Sequence, residues 1–339
     1  MFYIKHLLHS IVCSMFALHL YAMPNHAVIP HTQQQHQKIV ALLEMGKVIK
    51  KEPMGAVLDC QGKKKDFSSA VLLVTLDNGL KAVFKPVWGA CAEVAAYQAA
   101  LTLGFPYIPP TIMRTIGYAK GALQLFIETP IDPLAPGAYS QAIKEVAPED
   151  LANLGIFYFV FGHCDVCPGN LLITKYQGKT SLIAINNESI RYMQHAQYGA
   201  LPFTRRARSN RLHTNDWDKP FPFNQAVEIK DNPSKALKDK FGSLFSEQFY
   251  SSIKKWKRLR YVVYHNAIWL QDGRYTAWPC AKDCPKETKE ALEKLNLNQL
   301  EEIFSVAIEE KEVDFVTNAY LNAILERRDQ VLNYYANHT

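Results

Sequence analysis

Gly162-His163-Cys164-Asp165-Val166-Cys167-Pro168-Gly169-Asn170, followed by the apolar run Leu171-Leu172-Ile173, decides how this chain is read. The stretch sets a carboxylate and an amide five positions apart, immediately before a strand-like segment. That spacing suits phosphoryl transfer, in which Asp165 receives the proton of an attacking hydroxyl and Asn170 offers an oxygen to a metal ion. Asp, Asn, Pro and Gly also build ordinary turns, so the loop alone is weak evidence. Its weight depends on what stands upstream and downstream.

Upstream, Ala70 to Leu76 is a β-rich run, Asp77-Asn78-Gly79 is a hairpin turn, and Leu80 to Phe84 returns as a second strand with Lys85 at its end. Pro86 then stops the ladder, because it has no N–H to donate. Ala90 to Leu103 reads as a helix of good formers, closed by Gly104 and Pro106, with Glu93 in its first turn. Nucleotide phosphates must be neutralised and fixed in place. A strand-borne lysine does this, and a helix glutamate holds the lysine in one rotamer. Lys85 and Glu93 fit those roles. Each alone also reads as a surface charge, and Glu93 as an acid favoured by the helix dipole; the order Lys85, Glu93, Asp165, Asn170 is what joins them. Gln124 to Ile127 is a further short strand leading to Glu128, another nucleotide-binding candidate. Pro148 to Phe161 reads as a helix that feeds into the opening loop.

Lys81-Ala-Val-Phe-Lys85-Pro86, Ala92-Glu93-Val-Ala-Ala-Tyr97 and Phe105-Pro-Tyr-Ile-Pro109-Pro110-Thr111 together resemble the N-lobe of atypical kinases. The relatives are the type II phosphatidylinositol 4-kinases, the secretory-pathway Golgi kinases and the bacterial HipA-like kinases. The resemblance covers Gly55 to Ile190. It implies that Lys85 contacts the phosphates, Glu93 pairs with it, Asp165 is the base and Asn170 is a metal ligand. Two positions depart from the pattern. Val166 stands where an arginine commonly follows the aspartate. Asn186, after the strand Leu182-Ile183-Ala184-Ile185, stands where the resemblance expects a metal-binding aspartate. Asn186 keeps an oxygen ligand but loses a charge. At an effective dielectric near 20, a charge about 4 Å away is worth roughly 4 kcal/mol. That corresponds to as much as about a thousandfold in cation affinity. Glu188 is a further candidate for the missing charge, on the same face as Asn186 only if the segment stays extended.

The chain has 339 residues, 48% of them apolar, and a net charge of +6. This is a globular composition, long enough for one large domain or two packed lobes. The positive charge lies in local clusters at Lys63 to Lys65, Arg205 to Arg208 and Lys254 to Arg260. These read as solvated faces, or else as contacts for an anionic partner. Met1 to Ala22, with Lys5 and His6 before the apolar run Leu7 to Leu20, reads as a secretory signal peptide; a buried helix is the alternative. Residues 23–38, rich in Gln, His and Pro, read as a flexible leader. Cys13 lies within the signal segment. Cys60, Cys91, Cys164, Cys167, Cys280 and Cys284 remain, an even number that suits disulfides in an exported chain, with Cys280 to Cys284 a local bridge. The rival is a zinc site built from Cys164, Cys167, Cys280 and Cys284.

In the second half, Tyr192 to Val227 carries no sustained period, whereas Ser234 to Leu270, Thr288 to Glu310 and Val313 to Tyr335 have helical apolar spacing. Trp256, Tyr261, Tyr264 and Trp269 read as core. The expected architecture is therefore α+β and two-lobed: a β-rich N-lobe with one helix over 39–130 and a mainly helical C-lobe over 131–339. The expected activity is that of an exported phosphotransferase using ATP and Mg2+ or Mn2+. Its partner would be a protein, or alternatively an anionic lipid headgroup. Asn186 keeps a second expectation open, a pseudokinase that binds nucleotide or a partner. No nucleic-acid motif is present in the sequence.

Overall fold

The Asp77-Asn78-Gly79 turn sets the register of the sheet. Gly79 takes φ 86°, which its missing Cβ permits, and Leu80 N–H donates to Asn78 Oδ1 at 3.1 Å. In the computed structural model the described residues are 32–54, 71–86, 89–128, 144–162, 170–176, 178–187, 190, 283–309, 316 and 318–338, with short pieces at 57–58, 64–65, 238–239, 267–269 and 275–277.

The chain begins with helix α1 (Gln33–Met45), then β1 (Val48–Pro53), the two-residue strands β2 (Val57–Leu58) and β3 (Lys64–Lys65), β4 (Leu72–Leu76) and β5 (Lys81–Lys85). Helix α2 (Ala90–Thr102), β6 (Thr111–Ile116), β7 (Ala119–Leu125) and α3 (Pro148–Val160) follow. Next come β8 (Leu171–Tyr176), β9 (Lys179–Ala184), β10 (Ala267–Trp269) and β11 (Tyr275–Ala277). The chain closes with α4 (Lys286–Lys294), α5 (Leu297–Ile303), α6 (Ser305–Glu309) and α7 (Asn318–His338). The fold is α+β, as expected, with an antiparallel sheet first and helices later.

The five-stranded sheet runs β1-β4-β5-β7-β6 and is antiparallel throughout; β8–β9, β10–β11 and β2–β3 are separate antiparallel pairs. Strand alternation gives the large sheet two dressed faces. Leu43 of α1 joins Val74, Leu76, Ala82, Phe84, Ile112, Ile116 and Leu123 in one apolar cluster. On the other face Ala122 packs against Ala90 and Val94 of α2. Helix α2 is alanine-rich and buried around most of its circumference, the expected state for a helix apolar on every side. Its remaining surface joins α3, β8, β9 and the C-terminal helices in the largest core cluster.

Two expectations are corrected. Residues 23–38 are not leader to their end, because α1 begins at Gln33. Thr32 and Gln35 form a capping box, Thr32 Oγ1 accepting from Gln35 N–H at 3.2 Å and Gln35 Oε1 from Thr32 N–H at 3.1 Å. His36 is buried, its ring stacked on Tyr97 with Nδ1 3.2 Å from the Tyr97 hydroxyl. Burial pushes the ionisation of that hydroxyl well above its ordinary range. At the other end of α1, Asn78 Nδ2 donates to Leu42 C=O at 2.9 Å, and the Arg114 guanidinium donates to the carbonyls of Leu43 and Gly46. A cation at a helix C-terminus also complements the helix dipole. The second correction concerns the helical spacing read over Ser234 to Leu270, which ends in strand β10. The first 31 residues lie outside the described residues, and so do Arg205 to Arg208, Lys254 to Arg260, Trp256, Tyr261 and Tyr264.

Replacing Leu43, which is 0% exposed, leaves a cavity between α1 and the sheet. Leu43→Ala is expected to lower unfolding free energy by about 2–5 kcal/mol in urea titration. A loss under about 0.5 kcal/mol, the surface-substitution range, would mean that α1 is not part of the sheet's core.

Candidate functional site

Strand parity aims Lys85 at α2. It lies opposite Ala122 in the register, and cross-strand partners share a face. Ala122 faces α2, so Lys85 does too. Glu93, one turn into α2, meets it: Lys85 Nζ lies 2.7 Å from Glu93 Oε1, with side-chain exposures of 11% and 1%. A carboxylate this buried needs its lone pairs satisfied. The second oxygen is also used, since Glu93 Oε2 accepts from the backbone N–H of Asn187 at 2.9 Å. One carboxylate therefore joins the end of β5 to the segment that leaves β9.

Asn186 is the second residue of that segment, with φ 59°. This is left-handed backbone, where asparagine is enriched among non-glycine residues. Asn187 is fully buried and returns its amide nitrogen to Ala184 C=O at 3.3 Å. Asn170 precedes β8, and the β8–β9 pairing brings it alongside: Leu171 lies opposite Ala184, and Ile185 N–H donates to Asn170 C=O at 2.9 Å. Asn186 Nδ2 then donates to Asn170 Oδ1 at 3.2 Å. Lys85, Glu93, Asn170 and Asn186 thus belong to one connected network through Asn187.

Glu128 stands elsewhere. It pairs with Lys81 at 3.1 Å, at the exposed start of β5. Lys85 lies four residue steps along the strand from Lys81, about 13 Å. Asp165, Glu188, Cys164, Cys167 and Cys280 lie outside the described residues. Cys284 is a free thiol, so the bridge expected from it to Cys280 is not made here, and burial pushes its ionisation up to about 11. Among the described residues no three His, Cys, Asp or Glu side chains gather to hold a metal ion, and no helix is long and apolar enough to cross a membrane.

The donors that are described do not fit a divalent cation. Such an ion favours carboxylate oxygens. Here two neutral amides face each other, one donating to the oxygen that would ligate, and the network's described carboxylate is engaged by Lys85 and Asn187 N–H.

Three contributors escaped the sequence. A Cβ at Gly121 would lie 2.5 Å from the Lys85 carbonyl oxygen and 2.7 Å from Pro86 Cα, so this glycine lets the chain leave β5 just after the lysine. An isolated glycine inside a strand pattern was the available signal. Asn187 acts through its backbone N–H, which no residue type announces. Arg327 of α7 is 4% exposed, donates to Phe159 C=O at 2.9 Å and lies over the Phe159 ring. It thereby caps the last turn of α3, which Gly162 closes at φ 64° before the Asp165 loop.

No protein family and no curated protein matches the chain. Among solved structures it is similar to the Golgi casein kinase, at 10% identity over 90% of this chain and 75% of that one, with a TM-score of 0.43. It is similar to the same kinase with Mn/ADP bound, at 10% identity over 90% and 76%, TM-score 0.42. It is also similar to hydra Fam20 with sugar, at 13% identity over 95% and 94%, TM-score 0.44. Likeness at this level assigns no role to any residue of this chain.

Glu93→Ala leaves a largely buried ammonium and a buried N–H without their acceptor. It is expected to cost about 3–5 kcal/mol of stability in denaturant titration. A cost below about 1 kcal/mol, the range of a surface ion pair, would contradict the bridge.

Proposed function

We propose that this chain is an exported, two-lobed, kinase-like phosphotransferase that binds ATP through Lys85 and acts on a protein hydroxyl. The supporting observation is the Lys85–Glu93 pair, whose glutamate also takes the Asn187 N–H. A strand lysine fixed in this way presents a positive charge in one orientation, which suits the phosphates of a nucleotide. Asp165 is the residue proposed to accept the proton of the attacking hydroxyl, and Asn170 and Asn186 are the proposed oxygen ligands of a metal ion. Mg2+ or Mn2+ is the cation such a reaction ordinarily calls for, and the described amides are poor ligands for it. Export rests on the apolar segment after Lys5 and His6.

A second reading has its own observation. The Asn186–Asn170 amide pair is neutral, which favours a pseudokinase that binds nucleotide without transferring phosphate.

The two readings separate in one assay. Purified full chain is incubated with γ-labelled ATP, Mg2+ or Mn2+ and mixed protein acceptors. Transfer that falls by about a hundredfold or more in Asp165→Ala is expected for the phosphotransferase, in line with the typical worth of a positioned base. Equal labelling by wild type and Asp165→Ala contradicts it. ATP-dependent thermal stabilisation lost in Lys85→Ala, without any transfer, would support the pseudokinase.

A further inference from the structure

We infer that Gln124 selects the nucleobase, its Oε1 accepting a hydrogen bond from the exocyclic amine of an adenine ring; this rests on the proposal that Lys85 binds the phosphates. Register puts the two side chains on one face of the sheet. Lys85 lies opposite Ala122, and Val83 lies opposite Gln124. Cross-strand partners share a face, and so do residues two apart on one strand. Gln124 is therefore the diagonal neighbour of Lys85 on that face, about 7–8 Å away. It is 3% exposed, so its amide depends on fixed partners rather than on bulk water.

Thr111 decides which end of that amide is left over. Gln124 Nε2 donates to Thr111 Oγ1 at 3.0 Å. The Thr111 hydroxyl has a single proton, and it donates that proton to Pro109 C=O at 2.8 Å. Toward Gln124 the hydroxyl can only accept. Turning the amide over would set two acceptors against each other, so the amino end is held at Thr111 and the carbonyl end points away from it. Among the described residues Oε1 has no partner. A buried acceptor held in one orientation on the lysine's face is a docking point for a donor. Val83, half-buried and on the same face, supplies apolar surface beside it. A nucleobase has the matching make-up, with flat apolar faces and a polar edge. Adenine carries an amine where hypoxanthine and guanine carry a carbonyl. The amine donates to Oε1. The carbonyl would meet Oε1 as a second acceptor and leave both unpaired, which is how a site built to bond one group rejects its analogue.

The test is isothermal titration of the full chain with ATP and with inosine triphosphate, both in excess Mg2+. Inosine triphosphate keeps the sugar and the phosphates and exchanges the amine for a carbonyl. Wild type is expected to bind ATP about tenfold or more tightly than inosine triphosphate. Gln124→Met, of similar length and without the acceptor, is expected to bring the two dissociation constants within about threefold of each other. Thr111 is a positioning residue: Thr111→Val releases the amide and is expected to shrink the ratio, whereas Thr111→Ser keeps the hydroxyl and is expected to preserve it. Wild-type constants equal within about threefold, or tighter binding of inosine triphosphate, overturn the inference and leave the nucleotide-binding reading standing. A preference of about tenfold that survives Gln124→Met overturns it by removing the amide as the cause. If circular dichroism shows that Gln124→Met does not fold, the same preference surviving in Thr111→Val overturns it. Binding of neither nucleotide, or binding untouched by Lys85→Ala, overturns the inference together with the reading beneath it.

Discussion

The Glu93 carboxylate has two oxygens and uses each on a different part of the chain: Oε1 on Lys85 at the end of β5, Oε2 on the backbone of Asn187 beyond β9. Its burial makes both contacts obligatory. A carboxylate 1% exposed has no water to fall back on, so losing either partner leaves charge unsolvated. That demand explains the surroundings. Helix α2 must be apolar on nearly every side to carry Glu93 inside, and Gly121 must lack a Cβ so that the lysine's own backbone can turn away at Pro86. The C-terminal helices complete the enclosure, with Arg327 fastened to the end of α3 just before the Asp165 loop.

Much of this was legible in the residues. Asp77-Asn78-Gly79 fixed the β4–β5 hairpin because few other tripeptides turn so tightly, and with the hairpin came the position of Lys85 at a strand end. The alanine-rich run announced α2 to within a residue, and Pro148 marked the start of α3. What stayed hidden depended on distant or backbone partners. The polar first half of α1, Gln33 to Lys38, read as leader, since its one buried residue is His36 and its cap is a pair of side-chain bonds. Trp269 sits in a strand, where apolar spacing alone had read as helix. Glu128, a nucleotide-binding candidate from its place after a strand, pairs with Lys81 at 3.1 Å, a partner that its sequence position does not announce.

Asn186 is where sequence and structure inform each other most. Read alone it is a missing charge. In the fold it is also a donor, held at φ 59° and turned onto Asn170. Left-handed backbone at a non-glycine residue is retained where the surroundings over-determine it, and such positions gather at functional sites. Here the determinants are visible: the β8–β9 register on one side and the Glu93–Asn187 bond on the other. The segment is thus set by contacts that pair the Asn186 amide with Asn170, and charge enters the network through Lys85 and Glu93.

The bridge itself is open to direct observation through the Asn187 amide proton. Hydrogen exchange followed residue by residue should find it slow in wild type and greatly accelerated in Glu93→Ala, while amides of the β4–β5 hairpin keep their wild-type protection. An Asn187 amide that exchanges as fast as an exposed loop in the wild-type protein, or that is indifferent to the loss of Glu93, would contradict the account.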